Sequence, residues 1–415
     1  MRHLGSALLA VGLLAAALAG GVLYARWVES RYIHALASGM FASPLRGDTL
    51  PPELAQEVEG SVLQSEAVRQ PDLLPIYGSS ELLWRSDQGE FNGSQVFRGY
   101  PTGFALFPVG KQGTPALVIL QDLAAIGPEL RGRKVAISLS PSWLLHNPSE
   151  DQAYYAGNFS RLHAGELAFS TDLSYELKRE AAERMLPFPA TVEQDPLLKF
   201  ALERLVDPSP LGPGLYYAAL PLGKLQNVVL RLQDHWATLA LIRGRPALTA
   251  DVPREAAALD WSQLRSEAGR MARLLAARWA RRAAPERNSE LTPRGEEFLR
   301  TVRESPSWID LALLMRGLKE LGARPLILSQ PLAGAFFDQL GVSQGAREEF
   351  YARFREITRP YGVPVVDFAE HDEDRFFVSD ARSHLSAQGW LYYDEALDTF
   401  YHDEVLDTFY HEASG

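Results

Sequence analysis

The strand signals of this chain fall into two blocks, and the long gap between them decides what it can fold into. In the first block Leu73–Tyr77, Gln95–Arg98 and Lys134–Leu139 read as strands, closed by turn residues such as Gly78-Ser79-Ser80 and Ser140-Pro141-Ser142. Ala116–Leu130 between them reads as a helix. In the second block, strands at Pro325–Leu328 and Val363–Phe368 alternate with helices at Trp308–Leu321, Gln344–Arg359 and after Ser386. Gly322 is the stop signal of the first of these helices. Such alternation implies a parallel sheet covered on both faces. From about residue 146 to 305 strand signals nearly vanish. The helical middle is therefore an insertion between strands. The expected fold is a three-layer α/β domain built from residues 71–145 and 306–415, with residues 146–305 inserted.

Within the insertion, Asp172–Leu186 is charged and helix-favouring. Gly223–Ile242 has helical periodicity, with Leu225, Val228, Val229, Leu232, Trp236 and Leu239 on one side. Trp261–Arg282 carries Leu264, Met271, Leu274, Leu275 and Trp279 on one face and Arg265, Arg270, Arg273, Arg278 and Arg281 on the other. The arginine stripe reads as a solvated helix face, with a groove for an anionic polymer as the alternative.

The amino terminus adds a different constraint. Leu4 to Ala25 holds no charged residue, and as a helix it would span about 33 Å, enough to cross a bilayer core. It ends at Arg26-Trp27, residue types suited to a membrane interface. Ala17-Leu18-Ala19 has the form of a signal-peptidase site, but the apolar run continues beyond it, which favours an uncleaved anchor over residues 1–26. Residues 27–70 read as a helical stalk and lead-in broken at Pro51-Pro52. The formal net charge of −11 makes nucleic acid an unsuitable partner. The absence of cysteine excludes disulfides, thiolate nucleophiles and cysteine-bound metal. At the other end, Asp394–His402 (DEALDTFYH) is nearly repeated as Asp403–His411 (DEVLDTFYH), which reads as a tandem duplication extending the last helix.

A serine next to glycine at the end of a strand lies at the carboxyl edge of a parallel sheet, where open α/β folds bind ligands. Ser80 in Ile76-Tyr77-Gly78-Ser79-Ser80-Glu81 meets that description. Its hydroxyl needs a base. His384 stands between the last strand and the last helix, with Asp380 four residues upstream to orient and stabilise its imidazole. Backbone N–H groups of Ser80 and of Gly99 or Gly103 are candidates for an oxyanion hole, and the Ser142 hydroxyl is a further candidate.

This layout resembles the SGNH (GDSL-type) hydrolases, with the nucleophile after the first strand and the acid and base together near the carboxyl terminus. It is most similar to their DltD branch, the proteins of teichoic-acid D-alanylation. The matching stretches are LPIYGSSE at Leu74–Glu81, LSPSWL at Leu139–Leu144, LSYELKR at Leu173–Arg179, MLPFP at Met185–Pro189 and SDARSHLSAQGW at Ser379–Trp390. By that resemblance Ser80 is the nucleophile, His384 the base and Asp380 the acid. One departure stands out: the family places two residues between acid and base, and this chain has three. Asp372, Glu373 and Asp374 are the nearest substitutes.

The resemblance implies a membrane-anchored enzyme with its catalytic domain outside the cytoplasm and no cofactor or metal. It would transfer D-alanine to a teichoic-acid-like polymer, working beside a membrane-bound O-acyltransferase and a D-alanyl carrier protein. The same residues also fit an esterase or thioesterase using water as acceptor. A non-catalytic partner that presents carrier or polymer to the acyltransferase is the third reading.

Overall fold

The computed structural model describes residues 2–38, 60–82, 91–145, 148–243, 255–279, 293–379 and 384–403. Two helices, α1 (Arg2–Ser38) and α2 (Ser61–Arg69), lead into β1 (Leu73–Gly78). Then follow α3 (Gly93–Gly99), β2 (Ala105–Gly110), α4 (Ala116–Ile126), β3 (Lys134–Leu139) and α5 (Pro141–Leu144). The described chain from there to the fourth strand contains helices and connections: α6 (Pro148–Asn158), α7 (Arg161–Phe169), α8 (Tyr175–Met185), a single turn at Pro189–Val192, α9 (Pro196–Val206), α10 (Leu211–Arg243), α11 (Trp261–Trp279), α12 (Pro293–Glu304) and α13 (Ser307–Glu320). β4 (Arg324–Ser329), α14 (Gly334–Gln339), α15 (Gln344–Thr358), β5 (Val365–Val366) and α16 (Ala387–His402) complete it.

The five strands form one parallel sheet in the order β2-β1-β3-β4-β5. Successive strand residues point to opposite faces, and here both faces are buried. Leu73, Tyr77, Val135, Ile137 and Ile327 join a core shared with α4, α7, α8, α13 and α15. Leu74, Ile76, Ala136, Leu326 and Leu328 join a second core with Trp390, Tyr393, Leu397 and Phe400 of α16. Full burial of each large apolar side chain contributes about 1.5–3 kcal/mol, so the strands are held from both sides. The chain steps from β1 to β2 on one side and then crosses to β3 on the other. That reversal opens a crevice outside the carboxyl ends of β1 and β3.

Some expectations are corrected. Gln95–Arg98 is part of helix α3, not a strand; Val96 and Phe97 are consecutive and both buried. The second strand is Ala105–Gly110, which carries Pro108. Proline cannot donate to a ladder, but β2 is an edge strand and tolerates it. Val363–Phe368 shrinks to the two residues of β5, because Phe368 turns into the left-handed region at φ 50°. Between Ala25 and His34 helix α1 packs on the domain: Ala25 and Ile33 are buried, Glu29 pairs with His235 at 2.7 Å and His34 reaches Asp72 at 2.8 Å. Pro51-Pro52 lie outside the described residues. Among the described residues no helix is long and apolar enough to cross a membrane.

The insertion helices also differ in detail. On α11 the buried side is Leu264, Ala268 and Ala272, while Leu274 is exposed. Arg265 pairs with Glu395 of α16 and lies over the Tyr392 ring, so it ties two helices together. Arg270 and Arg273 are exposed; the side chains of Arg278 and Arg281 lie outside the described residues. α16 closes at His402 with Asp403 as its cap, and His402 Nε2 sits 2.8 Å from the Thr102 carbonyl. The second copy of the nonapeptide, from residue 404 on, lies outside the described residues.

Candidate active site

Ser80 lies one residue beyond β1 and opens a single 3-10 turn, Ser80–Leu82. The turn folds back over Gly78: a Cβ there would lie 2.9 Å from Leu82 Cδ1 and closer still to Glu81 Oε1. Gly110, its register partner on β2, is equally restricted, because a Cβ would overlap the Gly78 carbonyl. Two facing glycines thus let the loops after β1 and β2 meet. Ser79 joins those loops. Its Oγ accepts the N–H groups of Gly113 (3.0 Å) and Thr114 (3.1 Å) and lies 3.2 Å from the Lys111 carbonyl.

The expected base, His384, comes from the far end of the chain. His384 Nε2 lies 3.1 Å from Ser80 Oγ. The histidine is placed by the start of α16. Val378 and Leu385 form an antiparallel bridge, and Ser379 N–H donates to the His384 carbonyl at 2.8 Å. Ser386 then caps the helix by accepting Gly389 N–H. Gly389 is required there, since a Cβ would overlap the Phe377 carbonyl. Asp380 lies outside the described residues.

Two of the substitute acids are engaged elsewhere. Asp372 accepts from Arg347 Nε and from Tyr351 Oη, both at 2.8 Å. Asp374 accepts from Gln388 Nε2 at 2.6 Å and from Phe376 N–H at 2.9 Å. Both are structural anchors of the segment leading to His384. Glu81 is the acid that sequence reasoning passed over. Its side chain is fully buried and Oε1 accepts Ser79 N–H at 2.8 Å. Burial pushes the Glu81 carboxyl up, and the Ser79 N–H, its own N–H, the nearby Ser138 hydroxyl and the charge on His384 pull the other way.

The oxyanion candidates separate cleanly. Gly99 and Gly103 precede β2, while Ser80 follows β1, and the two strands run parallel in register. They therefore lie at the opposite edge of the sheet from Ser80, about 20 Å away for six strand residues. They are excluded as donors to an oxyanion on Ser80. The glycines that stand at the edge of Ser80 are Gly110, which ends β2, and Gly113, whose N–H is taken by Ser79 Oγ. Gly113 takes φ 79° and packs beneath the Tyr154 ring. Asn158 on α6 holds this loop: Nδ2 donates to the Gly113 carbonyl (2.9 Å), and Oδ1 lies 3.0 Å from Thr114 Oγ1. Nothing in the sequence around Asn158 signalled that role. Ser142 sits in α5, at the carboxyl end of β3 and on the correct edge. It borders a cavity of about 730 Å³ floored by Phe298, Phe336, Phe337 and Leu340; neither Ser80 nor His384 lines that cavity.

A sequence model of the DltD protein family matches residues 54–402. The chain belongs to the DltD family. Protein DltD of Bacillus subtilis (strain 168) is 29% identical over 348 residues, covering 82% of this chain and 86% of that protein. Protein DltD of Staphylococcus aureus (strain NCTC 8325 / PS 47) is 23% identical over 360 residues, covering 82% and 84%. The span matched by the DltD model holds the whole sheet, the Ser80 turn and His384.

Proposed function

We propose that the chain is a serine acyl-transfer enzyme of the SGNH type acting in D-alanylation of a teichoic-acid-like polymer. Membership of the DltD family supports the pathway. The approach of His384 to Ser80 carries the chemistry. In this reading His384 Nε2 takes the Ser80 proton as Oγ attacks an ester or thioester carbonyl. The tetrahedral intermediate collapses, the protonated histidine gives its proton to the leaving alcohol or thiol, and an acyl ester remains on Ser80. A polymer hydroxyl then attacks that ester, with His384 taking its proton and returning one to Ser80. Asp380 is the acid that orients the imidazole. The Ser80 N–H is the first oxyanion donor, with Ser142 on the same edge. Water in place of the polymer hydroxyl would make the same site an esterase or thioesterase.

The same reading makes α1 a single-pass anchor through Leu4–Ala25, with the domain outside the cytoplasm. Leu9, Leu13, Leu18 and Leu23 on α1 are exposed, as lipid-facing residues would be. A membrane-bound O-acyltransferase and a D-alanyl carrier protein are the expected partners. The deciding experiment is labelling with a serine-directed fluorophosphonate, followed by mass spectrometry of the acyl group trapped on the protein. Labelling of the wild type but not of Ser80→Ala is the expected result. Equal labelling of both, or of neither, would favour the non-catalytic partner reading.

A further inference from the structure

Helix α10 buries Tyr216, Leu239, Leu241 and Ile242 and yet keeps an apolar outer side. Its interior side carries Asn227, Asp234 and Thr238, together with Gly212, Ala219 and Gly223. Asp234 is used there to accept the N–H groups of Gly60 (2.9 Å) and Val62 (3.0 Å) at the start of α2. Its outer side exposes Leu211, Leu215, Leu222, Leu225, Val229 and Trp236, with Leu225 62% and Trp236 72% accessible. Steps of three, four and seven residues keep these six on one stripe, about 38 Å long at 1.5 Å per residue. The charged neighbours turn away from it. Lys224 reaches Thr171 Oγ1 at 3.2 Å, and Arg231 reaches Glu166 and the Ala125 carbonyl at 2.7 Å. A soluble surface rarely leaves so long an apolar stripe uncovered.

The position of the stripe indicates what covers it. His235, beside Trp236, pairs with Glu29 of α1 at 2.7 Å, so the stripe runs into the helix read here as the anchor. On α1 the Tyr24 and Trp27 rings lie 6.0 Å apart and exposed, with Arg31 over Trp27 at 4.9 Å. Exposed Tyr24, Trp27 and Arg31 on α1, with exposed Trp236 across the junction on α10, match the residue types of a membrane–water interface. We infer that the outer face of α10 rests in the bilayer surface that holds α1, with acyl chains as its occupant. The domain is then held at a fixed attitude to the membrane instead of swinging on α1. This rests on the reading of α1 as an anchor.

The chain has no cysteine, which makes the test direct. Single cysteines replacing Leu215, Leu222, Leu225 and Trp236 are labelled with a nitroxide in the full-length chain. The protein is reconstituted in vesicles of equal parts phosphatidylcholine and phosphatidylglycerol. Collisions with lipid-soluble oxygen and with a water-soluble nickel chelate are then compared. Glu348→Cys, on the exposed side of α15, is the aqueous control. The expected oxygen-to-nickel ratio at the four α10 sites is several-fold that of the control. A ratio equal to the control would overturn the inference. So would labels shielded from both reagents, which would mean a protein covers the stripe. Release of the chain by alkaline carbonate, after oxygen-rich labels had been recorded, would sink the α1 anchor while supporting the α10 contact.

Discussion

His384 Nε2 stands 3.1 Å from Ser80 Oγ although 304 positions separate them in the chain. The sheet order and the bridge at Val378–Leu385 help bring them together. If they form one proton relay, Ser80→Ala and His384→Ala should each lower acyl transfer by several orders of magnitude. The double variant should lose little more, because the residues act as a unit. Asp380→Ala should cost less than either. Strictly additive losses in steady-state turnover would argue against a shared relay.

Ser79 has a structural duty that its neighbour lacks. Its Oγ satisfies two buried N–H groups, those of Gly113 and Thr114. Ser79→Ala should therefore cost about 1–3 kcal/mol in denaturant unfolding. Fluorophosphonate labelling should slow but persist if, as proposed, Ser80 is the nucleophile. Loss of labelling in a folded Ser79→Ala variant would reverse the assignment of the two serines.

The contrast between Ser80 and the glycines shows what the sequence could reveal. Leu73–Tyr77 followed by Gly78-Ser79-Ser80 is a strand and turn written locally, and Ser386 is a helix cap of standard type, so both ends of the site were legible. β2 was not, because Pro108 and its two flanking glycines at 103 and 110 suppress strand signals that only an edge position permits. With β2 at Ala105–Gly110, Gly99 and Gly103 stand at its amino end, away from Ser80. The apolar face of α10 was legible as a pattern too. Periodicity alone cannot say whether such a face meets protein or something else, and Leu225, Val228, Val229 and Trp236 face outward. Asn158 acts through three-dimensional neighbours with no sequence spacing to betray it.

Asp394 gives a pH dependence with a definite sign. It is fully buried on α16, and among the described residues neither carboxylate oxygen has a hydrogen-bond partner. Burial pushes its carboxyl well above the ordinary range, and nearby Asp398 adds to the shift. The folded state therefore holds a proton that the unfolded chain releases above about pH 4. Stability is full below that point and falls as pH rises toward the folded-state value. Asp394→Asn removes the ionisation. The gain in unfolding midpoint of this variant over wild type should widen from about pH 4 toward neutrality. A gain independent of pH would show that Asp394 is not held neutral.

The two glycine pairs around β2 separate the edges of the sheet in one comparison. Gly99 ends α3, and a Cβ there would have nothing within 4 Å. Gly99→Ala should therefore leave labelling of Ser80 unchanged and stabilise the fold by up to about 1 kcal/mol, as alanine replacing glycine in a helix does. Gly110 lies beside the nucleophile turn, and a Cβ would overlap the Gly78 carbonyl. That neighbour is backbone and cannot rotate away, so β1 and β2 must part at the point where Ser79 joins their loops. Gly110→Ala should cost about 1–3 kcal/mol or more by overpacking. It should also slow labelling of the folded fraction, because the Ser80 turn moves with β1. Labelling that fell in Gly99→Ala and survived in Gly110→Ala would return the oxyanion site to the amino edge, against the register of β1 and β2.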